Sequence, residues 1–232
     1  MDSSSQQSEV EAARAELQHF IYAASHDLQE PLRAIVAYSQ LLERHLAGDE
    51  TARDYISYIV GGANRMTALL RDLLTLSRAG STQRRGTVNL NVAVQASLLK
   101  LAPAIAEASA KVTREHLPEV LADESEITQL FEHLISNALK FRSGSTNPEI
   151  VIRLEQGNAE YVISVADNGR GIAPAFHKEV FAPFKRMQGK EVAGSGLGLA
   201  ICSKIVHAHG GRIWIESDGR SGTTVKFTLP DV

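Results

Sequence analysis

The sequence holds a single cysteine, Cys202, which excludes a disulfide within the chain and a metal cluster held by thiolates. No apolar run approaches the roughly 18–20 residues that are needed to cross a bilayer. Basic and acidic side chains nearly balance, 24 against 27, so no polybasic surface indicates a nucleic-acid partner or an anionic membrane. The first residues also lack the basic and apolar regions of a secretory signal. These absences predict a soluble chain in a reducing compartment, with a cytoplasmic location, no membrane span and no nucleic-acid partner.

Apolar residues in the first third of the 232-residue chain recur with the spacing of two long helices. The first run breaks at residues 47–49, where Gly48 suits a left-handed position after a helix and Asp49 can cap the next helix. The second run alternates by four and three, which is a heptad seam. The first helix presents Leu17, Ile21, Ala24, Leu28, Leu32, Ile35, Leu42 and Leu46, and the second presents Tyr55, Ile59, Gly62, Met66, Leu69, Leu73 and Leu76.

Two helices joined by so short a loop make an antiparallel hairpin. One hairpin cannot bury an apolar stripe on each helix by itself, so we predict that two chains form a dimeric four-helix bundle. The alternative is a hairpin that packs on the rest of its own chain.

The sequence changes character after residues 79–87, which are small, polar and punctuated by glycine, as is typical of a linker. Strands are predicted at 88–94, 112–115, 119–122, 149–154, 161–166, 212–216 and 224–229, and helices at about 92–109, 125–141 and 197–208. This mixture predicts an α/β sandwich, with a sheet in one layer and helices in the other. The predicted fold class is therefore α+β, with a helical hairpin over residues 1–80, a linker over 81–87 and a sandwich domain over 88–232.

His26 lies between the seam positions Ala24 and Leu28, so on a helix it points away from the bundle centre. An imidazole there is a nucleophile that another domain can reach, and Asp27 can orient it and accept its proton. Pro31 leaves the carbonyl of Asp27 without its helical partner and predicts a kink beside the histidine. A surface histidine alone is more often inert, but the segments downstream favour a catalytic role.

Asn137 and Lys140 lie three residues apart and so on one side of a predicted helix. An amide oxygen suits Mg²⁺, and a lysine supplies a positive charge for a phosphate. Taken alone, the segment also fits an ordinary amphipathic helix.

Asp167-Asn168-Gly169-Arg170-Gly171 follows directly on a predicted strand. A carboxylate at a strand end can accept a hydrogen bond from an exocyclic amine such as that of adenine, and Gly169 and Gly171 let the backbone approach a flat base. The same residues also make ordinary hairpin turns.

Gly194, Gly196, Leu197 and Gly198 open a predicted helix, where exposed N–H groups form an anion site that suits phosphates. The spacing is not that of a dinucleotide-binding loop, and no P-loop lysine follows. The basic stretch before it, 185–194, can close over a nucleotide as a lid or be a simple surface loop. His207 and His209 have the spacing of a metal pair, but a helix end explains them as well.

Together these segments resemble the core of a sensor histidine kinase. Residues 25–33 are similar to the phosphoacceptor box in the form found in phytochrome-type kinases, and residues 136–141 to the N box. Residues 167–171 resemble the G1 box, 180–184 the F box and 194–199 the G2 box. The resemblance extends from about residue 15 to the end of the chain, and five boxes in this order are highly specific.

The resemblance implies a dimerisation and histidine-phosphotransfer hairpin followed by an ATP-binding domain of the gyrase-chaperone-kinase superfamily. By motif match, Asn137 holds Mg²⁺, Lys140 contacts phosphate and Asp167 binds the adenine amine. Gly169 and Gly171 shape the base pocket. The G2-box residues would bind the phosphates and form the hinge of the lid; these are Gly194, Gly196, Leu197 and Gly198.

Two residues depart from the family pattern. Glu30 stands four residues after His26, where relatives with phosphatase activity often carry Thr or Asn. His133 stands four residues before Asn137, where the family usually has Asn or Glu. The first departure argues against phosphatase activity, and the second changes the surroundings of the Mg²⁺ ligand.

The sequence thus predicts a homodimeric protein-histidine kinase that uses ATP and Mg²⁺, phosphorylates His26 and passes the phosphoryl group to an aspartate of a response regulator receiver domain. Its input is expected from an upstream sensor domain or protein. The alternatives are a dimeric nucleotide-binding scaffold without phosphotransfer and an ATPase that hydrolyses ATP to drive conformational change.

Overall fold

The computed structural model describes residues 28–29, 31–46, 48–80, 85–144, 146–156, 160–185 and 194–230. The chain divides into two compact units, Met1–Arg78 and Ala79–Val232. No helix among the described residues is both long enough and apolar enough to span a bilayer.

The described residues of the first unit form helix α1 over residues 31–45, with residues 28–29 also helical, and helix α2 over Glu50–Arg78. Gly48 between them has φ +123°, a conformation that glycine reaches without steric cost. The carboxylate of Asp49 accepts a hydrogen bond from the N–H of Ala52 at 3.0 Å, which confirms the predicted cap.

The contact between the described parts of α1 and α2 involves few side chains. Leu32, Ala63 and Leu70 are buried together, with Val36 packed against them. The predicted heptad seam of α2 lies largely outside this contact, since Tyr55 is 66% exposed and Met66 is 52% exposed. The apolar stripe that the sequence predicted is therefore still accessible in the single chain.

The second unit is an α/β sandwich, as predicted. Its elements are β1 Gly86–Asn89, α3 Leu90–Glu107, β2 Lys111–Arg114, β3 Glu119–Ala122, α4 Glu124–Lys140, β4 Glu149–Gln156, β5 Glu160–Asp167, α5 Gly198–Ala208, β6 Ile213–Glu216 and β7 Thr223–Pro230. Two short 3₁₀ turns lie at Pro174–Phe176 and Glu179–Phe181. The main sheet has the order β2-β4-β5-β7-β6, and β1 pairs with β3 in a small second sheet. All pairs are antiparallel except β2 with β4.

The start of the second unit differs from the prediction. The first strand begins at Gly86, inside the predicted 81–87 linker, because Gly86 already pairs with Ala122. Helix α3 begins at Leu90 rather than near residue 92, because the side chain of Asn89 caps it by accepting from the N–H of Asn91 at 2.9 Å. The N–H of Gly80 donates to Oε1 of Glu126 at 2.7 Å, so the chain joins this unit before the predicted linker.

The core of the second unit lies between the main sheet and the helices. Phe131 of α4 and Phe227 of β7 are fully buried and meet edge to face, with ring centroids 5.8 Å apart. Helix α4 packs between α3 and α5 and against β5. This arrangement places the C-terminal half of α4, the end of β5 and the start of α5 in one compact unit.

Candidate functional site

Asp167 is the last residue of β5 and the centre of the site. Its Oδ1 accepts hydrogen bonds from the N–H of Gly169 at 2.8 Å and from the N–H of Thr223 at 3.2 Å. Burial raises the pKa of this carboxyl group, and the two backbone N–H groups oppose that rise. Among the described residues nothing donates to Oδ2, so this oxygen is available to an N–H donor of a ligand.

Gly169 lies where the loop after β5 meets the end of α4. A Cβ at this position would be 2.6 Å from the carbonyl oxygen of Phe141 and 2.8 Å from Oδ1 of Asp167. The next residue, Arg170, donates its N–H to the same Phe141 carbonyl at 3.1 Å. Only glycine fits this close approach. The contact joins the predicted base-binding loop after β5 to α4, the helix that carries Asn137.

Gly171 has φ +74°, and a Cβ there would lie 2.7 Å from the backbone nitrogen of Arg220. The N–H of Ile172 donates to Oγ of Ser217 at 2.9 Å. The loop after β5 is thus held against the turn that connects β6 to β7. A ligand bound at Asp167 therefore meets a rigid backbone on this side.

Asn137 faces the first turn of α5. A Cβ on Gly198, the first residue of α5, would be 3.9 Å from both amide atoms of Asn137 and 3.4 Å from Nδ1 of His133. The structure thus brings Asn137 and His133 together with the glycine-rich helix start. Lys140 is exposed in the last turn of the same helix.

The glycine-rich segment reaches α5 through a turn at Gly196, which has φ +74°. The carbonyl of Gly196 accepts from the N–H of Phe184 at 3.0 Å, so the F-box residues also meet this segment. Within the described part of the chain, nothing lies within 4 Å of a Cβ placed on Gly194. Leu197 is fully buried, so its side chain belongs to the core and only its backbone can line a phosphate site.

Some predicted residues lie outside the described residues. These are His26 and Asp27, and residues 186–193 of the predicted lid. Their placement is therefore left to the proposals below.

Three contributors to the site were missed by sequence reasoning. Thr223 binds Asp167 through its N–H, a Cβ on Gly222 would come within 2.0 Å of the carbonyl oxygen of Asp167, and Ser217 anchors Ile172. The available signal was Gly222 directly before a strand, since a glycine at a strand start often marks close backbone approach.

His209, predicted to be explained by a helix end rather than by metal binding, is a buried core residue. Its Nε2 accepts from the N–H of Asp123 at 3.0 Å, and its Nδ1 donates to the carbonyl of Ile205 at 2.9 Å. Both ring nitrogens are thus used within the protein, and Oε2 of Glu126 lies 3.8 Å from Nδ1.

Asn137 offers an amide oxygen to a cation beside the first turn of α5. Within the described part of the chain, no three His, Cys, Asp or Glu side chains are grouped as a metal site. Mg²⁺ needs no such cage, because it commonly binds one or two protein oxygens and takes its other ligands from substrate phosphates and water. The amide of Asn137 beside an anion-binding helix start fits that mode.

The fold and the site together define an ATP-binding α/β sandwich that follows a pair of helices. Residues 122–232 match the family of histidine kinase-, DNA gyrase B- and HSP90-like ATPases, and residues 16–82 match the His Kinase A phospho-acceptor domain. The chain belongs to the sensor histidine kinase family, as the resemblance predicted.

The relatives agree with this assignment. The chain is 41% identical to cyanobacterial phytochrome A of Nostoc sp. over 96% of its length and 29% of that protein. It is 38% identical to the phytochrome-like protein Cph1 of Synechocystis sp., over 95% of its length and 30% of that protein. It therefore spans less than a third of these relatives.

Among solved structures, one similar protein is the histidine kinase ThkA, crystallised in complex with the response regulator protein TrrA. The match has a TM-score of 0.66 and 25% identity, over 97% of this chain and 66% of that chain.

Proposed function

We propose that this chain phosphorylates His26 with ATP and passes the phosphoryl group to an aspartate of a response regulator receiver domain. The observation that carries the proposal is the convergence of four segments that are far apart in sequence. Arg170 donates to Phe141, Phe184 donates to Gly196, and Gly198 lies against Asn137. These contacts support one continuous site built from the N, G1, F and G2 boxes.

The adenine end of the nucleotide is assigned to the loop after β5. Oδ2 of Asp167 accepts a hydrogen bond from the exocyclic amine, while Gly169 and Gly171 let the base approach the backbone. A keto group at that position of the ring, as in guanine, offers no proton to an ionised carboxylate. The site therefore favours adenine over guanine.

The phosphate end is assigned to the start of α5. N–H groups around Gly194, Gly196, Leu197 and Gly198 attract the phosphates, because they lie at the positive end of a helix dipole. Lys140 adds a positive charge. Asn137 would hold Mg²⁺ through its amide oxygen, and the cation would neutralise phosphate charge there.

The transfer step is assigned to His26 and Asp27. A ring nitrogen of His26 attacks the γ-phosphorus, a P–N bond forms, and the bond to the β–γ bridging oxygen breaks as ADP leaves. The ring proton passes to the carboxylate of Asp27. In a second transfer, a carboxylate oxygen of the regulator's aspartate takes the phosphoryl group and His26 is restored.

A second copy of the chain is the proposed partner of the helical unit. Leu28, Ile35, Leu42, Ile59 and Met66 are all 40% exposed or more, although they follow the spacing of a helix seam. Joining two such pairs in a four-helix bundle would bury these side chains.

Further partners follow from the relatives. The ThkA complex supports a response regulator as acceptor, and the short share of the phytochrome sequences that the chain spans supports input from an upstream sensor. A cytoplasmic location belongs to the same proposal, and the free, buried thiol of Cys202 is consistent with a reducing compartment.

Incubation with γ-labelled ATP and Mg²⁺, followed by acid and alkali treatment, tests the proposal. We expect label that is lost in acid, retained in alkali and absent from His26→Gln, which should still bind ATP. Asp27→Asn should label more slowly with unchanged ATP affinity. Label that persists in His26→Gln would refute the assignment of His26 as phosphoacceptor. ATP binding without any label would indicate a nucleotide-binding scaffold.

A further inference from the structure

Asn168 lies between the adenine-binding carboxylate and Gly169, and its side chain has an unusual set of partners. Its Oδ1 accepts a hydrogen bond from the N–H of Glu149 at 2.8 Å. Its Nδ2 donates to the carbonyl of Asn147 at 3.0 Å. One amide side chain thus satisfies two main-chain groups two residues apart, just before β4 and at its start.

These bonds continue the sheet beyond the point where main-chain pairing stops. Strands β4 and β5 pair as far as Ile150 with Asp167. The next residue of each strand is joined through the Asn168 side chain instead of through two backbones. The backbone after Asp167 is therefore free to leave the sheet toward the nucleotide while the strand end stays fixed.

The segment that Asn168 holds is itself anchored. The carbonyl of Pro148 accepts from the N–H of Lys111 at 2.8 Å, which joins residues 147–149 to β2. On its other side Asp167 is held by the N–H of Thr223 at the start of β7. Asp167 thus lies between β4 and β7, where it pairs with Ile150 and Thr223, and Asn168 extends the hold of β4 by one residue beyond the last main-chain pair.

We propose that Asn168 is a positioning residue for nucleotide binding, acting by holding the strand end that carries Asp167. The inference rests on the proposed adenine-binding role of Asp167. Both polar ends of the Asn168 amide bind main-chain groups of residues 147 and 149, so the proposed role is exerted through the strand end. Losing this tie releases the β4 side of the strand end, and so lowers the fraction of molecules in which Asp167 is correctly placed.

The test compares Asn168→Ala with Asn147→Ala in the full chain. The first substitution removes both hydrogen bonds, whereas the second leaves the main-chain carbonyl of residue 147 in place and serves as a matched control. Affinity for a non-hydrolysable ATP analogue with Mg²⁺ is measured by calorimetry, and KM and kcat by the initial rate of labelling.

We expect Asn168→Ala to raise Kd and KM about tenfold and to leave kcat at saturating ATP within about twofold, as the loss of two net hydrogen bonds allows. Asn147→Ala should match the wild type. If Asn168 served only folding, its loss would lower the fraction of folded protein. The apparent kcat would then fall while KM stayed unchanged. That result, or equal Kd values for Asn168→Ala and wild type, would overturn the inference.

Asn168→Ser provides a second variant, because its hydroxyl can keep one of the two bonds, and an intermediate Kd is expected. If both variants lose the cooperative unfolding transition, Asn168 is required for folding and the inference is wrong. Failure of the wild-type chain to bind the analogue would instead refute the proposed function, so the two failures are distinguishable.

Discussion

Apolar side chains have different surroundings in the two units. In the second unit Phe131, Phe227, Ile150 and Ile163 are fully buried, and the sheet and helices cover one another. Among the described residues of the helical unit most of the apolar stripe remains exposed, and few side chains meet between α1 and α2. The second unit therefore contains what it needs to fold as a single chain, whereas the helical unit requires another surface to cover its stripe.

The largest expected effect is a loss of stability that is confined to the second unit. Phe131→Ala removes a fully buried ring and should cost the second unit about 3–5 kcal/mol of unfolding free energy. Nucleotide binding should weaken with it, while the helical unit should keep its helices. Trp214, the single tryptophan, lies in β6 and reports the second unit by fluorescence, and far-ultraviolet circular dichroism reports all helices.

Tyr58→Ala, at a side chain that is largely exposed on α2, is the control and should change the fluorescence transition little. Coincident loss of fluorescence and of all helicity in Phe131→Ala would show that the two units unfold together. That result would contradict the view that the second unit folds independently of the helical unit.

The next largest effect is a loss of ATP affinity in the second unit without a loss of its fold. Asp167→Asn should weaken ATP binding about 100-fold, because a charge-assisted hydrogen bond to the adenine amine is lost. The amide Oδ1 can still accept from Gly169 and Thr223, so the fold should persist. Calorimetric titration with ATP measures the affinity, and an unchanged Kd would refute the adenine role.

The same variant has a predictable dependence on pH. Burial raises the pKa of Asp167, so ionisation is harder in the folded state than in the unfolded state. The wild type therefore loses stability as pH rises from the unfolded pKa through the folded pKa, and below both values there is no such loss. Asp167→Asn should be at least as stable as wild type at neutral pH, with an advantage that disappears in acid. Denaturant unfolding across this pH range would show the opposite trend if the carboxylate stabilised the empty fold.

The smallest effect concerns association of two helical units. Ile59→Glu places a charge in the exposed stripe and should weaken dimerisation about tenfold, while ATP affinity stays unchanged. Asn64→Glu adds the same charge five residues on, about 140° around the helix, and should leave dimerisation intact. Analytical ultracentrifugation measures both variants. Equal effects of the two substitutions would show that the stripe is not the interface.

Local sequence signals predicted the fold well where the physical cause is itself local. Asp49 capped the helix as expected, and the order of strands and helices in the second unit followed from periodicity. The heptad spacing identified an apolar stripe on α2. It did not show that Ile56, Ala63 and Leu70, one position further along, are the buried side chains, nor that Ala63 and Leu70 pack against Leu32. Neighbouring helix positions share a face, so spacing alone cannot assign each to a partner.

Contacts between distant residues account for most of what was missed. Asp167 depends on the N–H of Thr223, which lies 56 residues away, and His209 depends on Asp123, 86 residues away. No local pattern places such pairs together, because their distance is set by strand order and helix packing. Asn168 resembled an ordinary turn residue for the same reason, since its partners precede it by about twenty positions.

The place of β7 in the sheet has a consequence for synthesis of the chain. This strand is the last of the described strands in sequence, yet it lies between β5 and β6 and supplies Thr223 to the site. A ribosome releases both helices of the first unit long before β7, and helical pairs with local contacts fold faster than sheets built from distant strands. We expect the helical pair to form while the sheet still lacks one of its inner strands, so that ATP binding begins only when translation has passed β7.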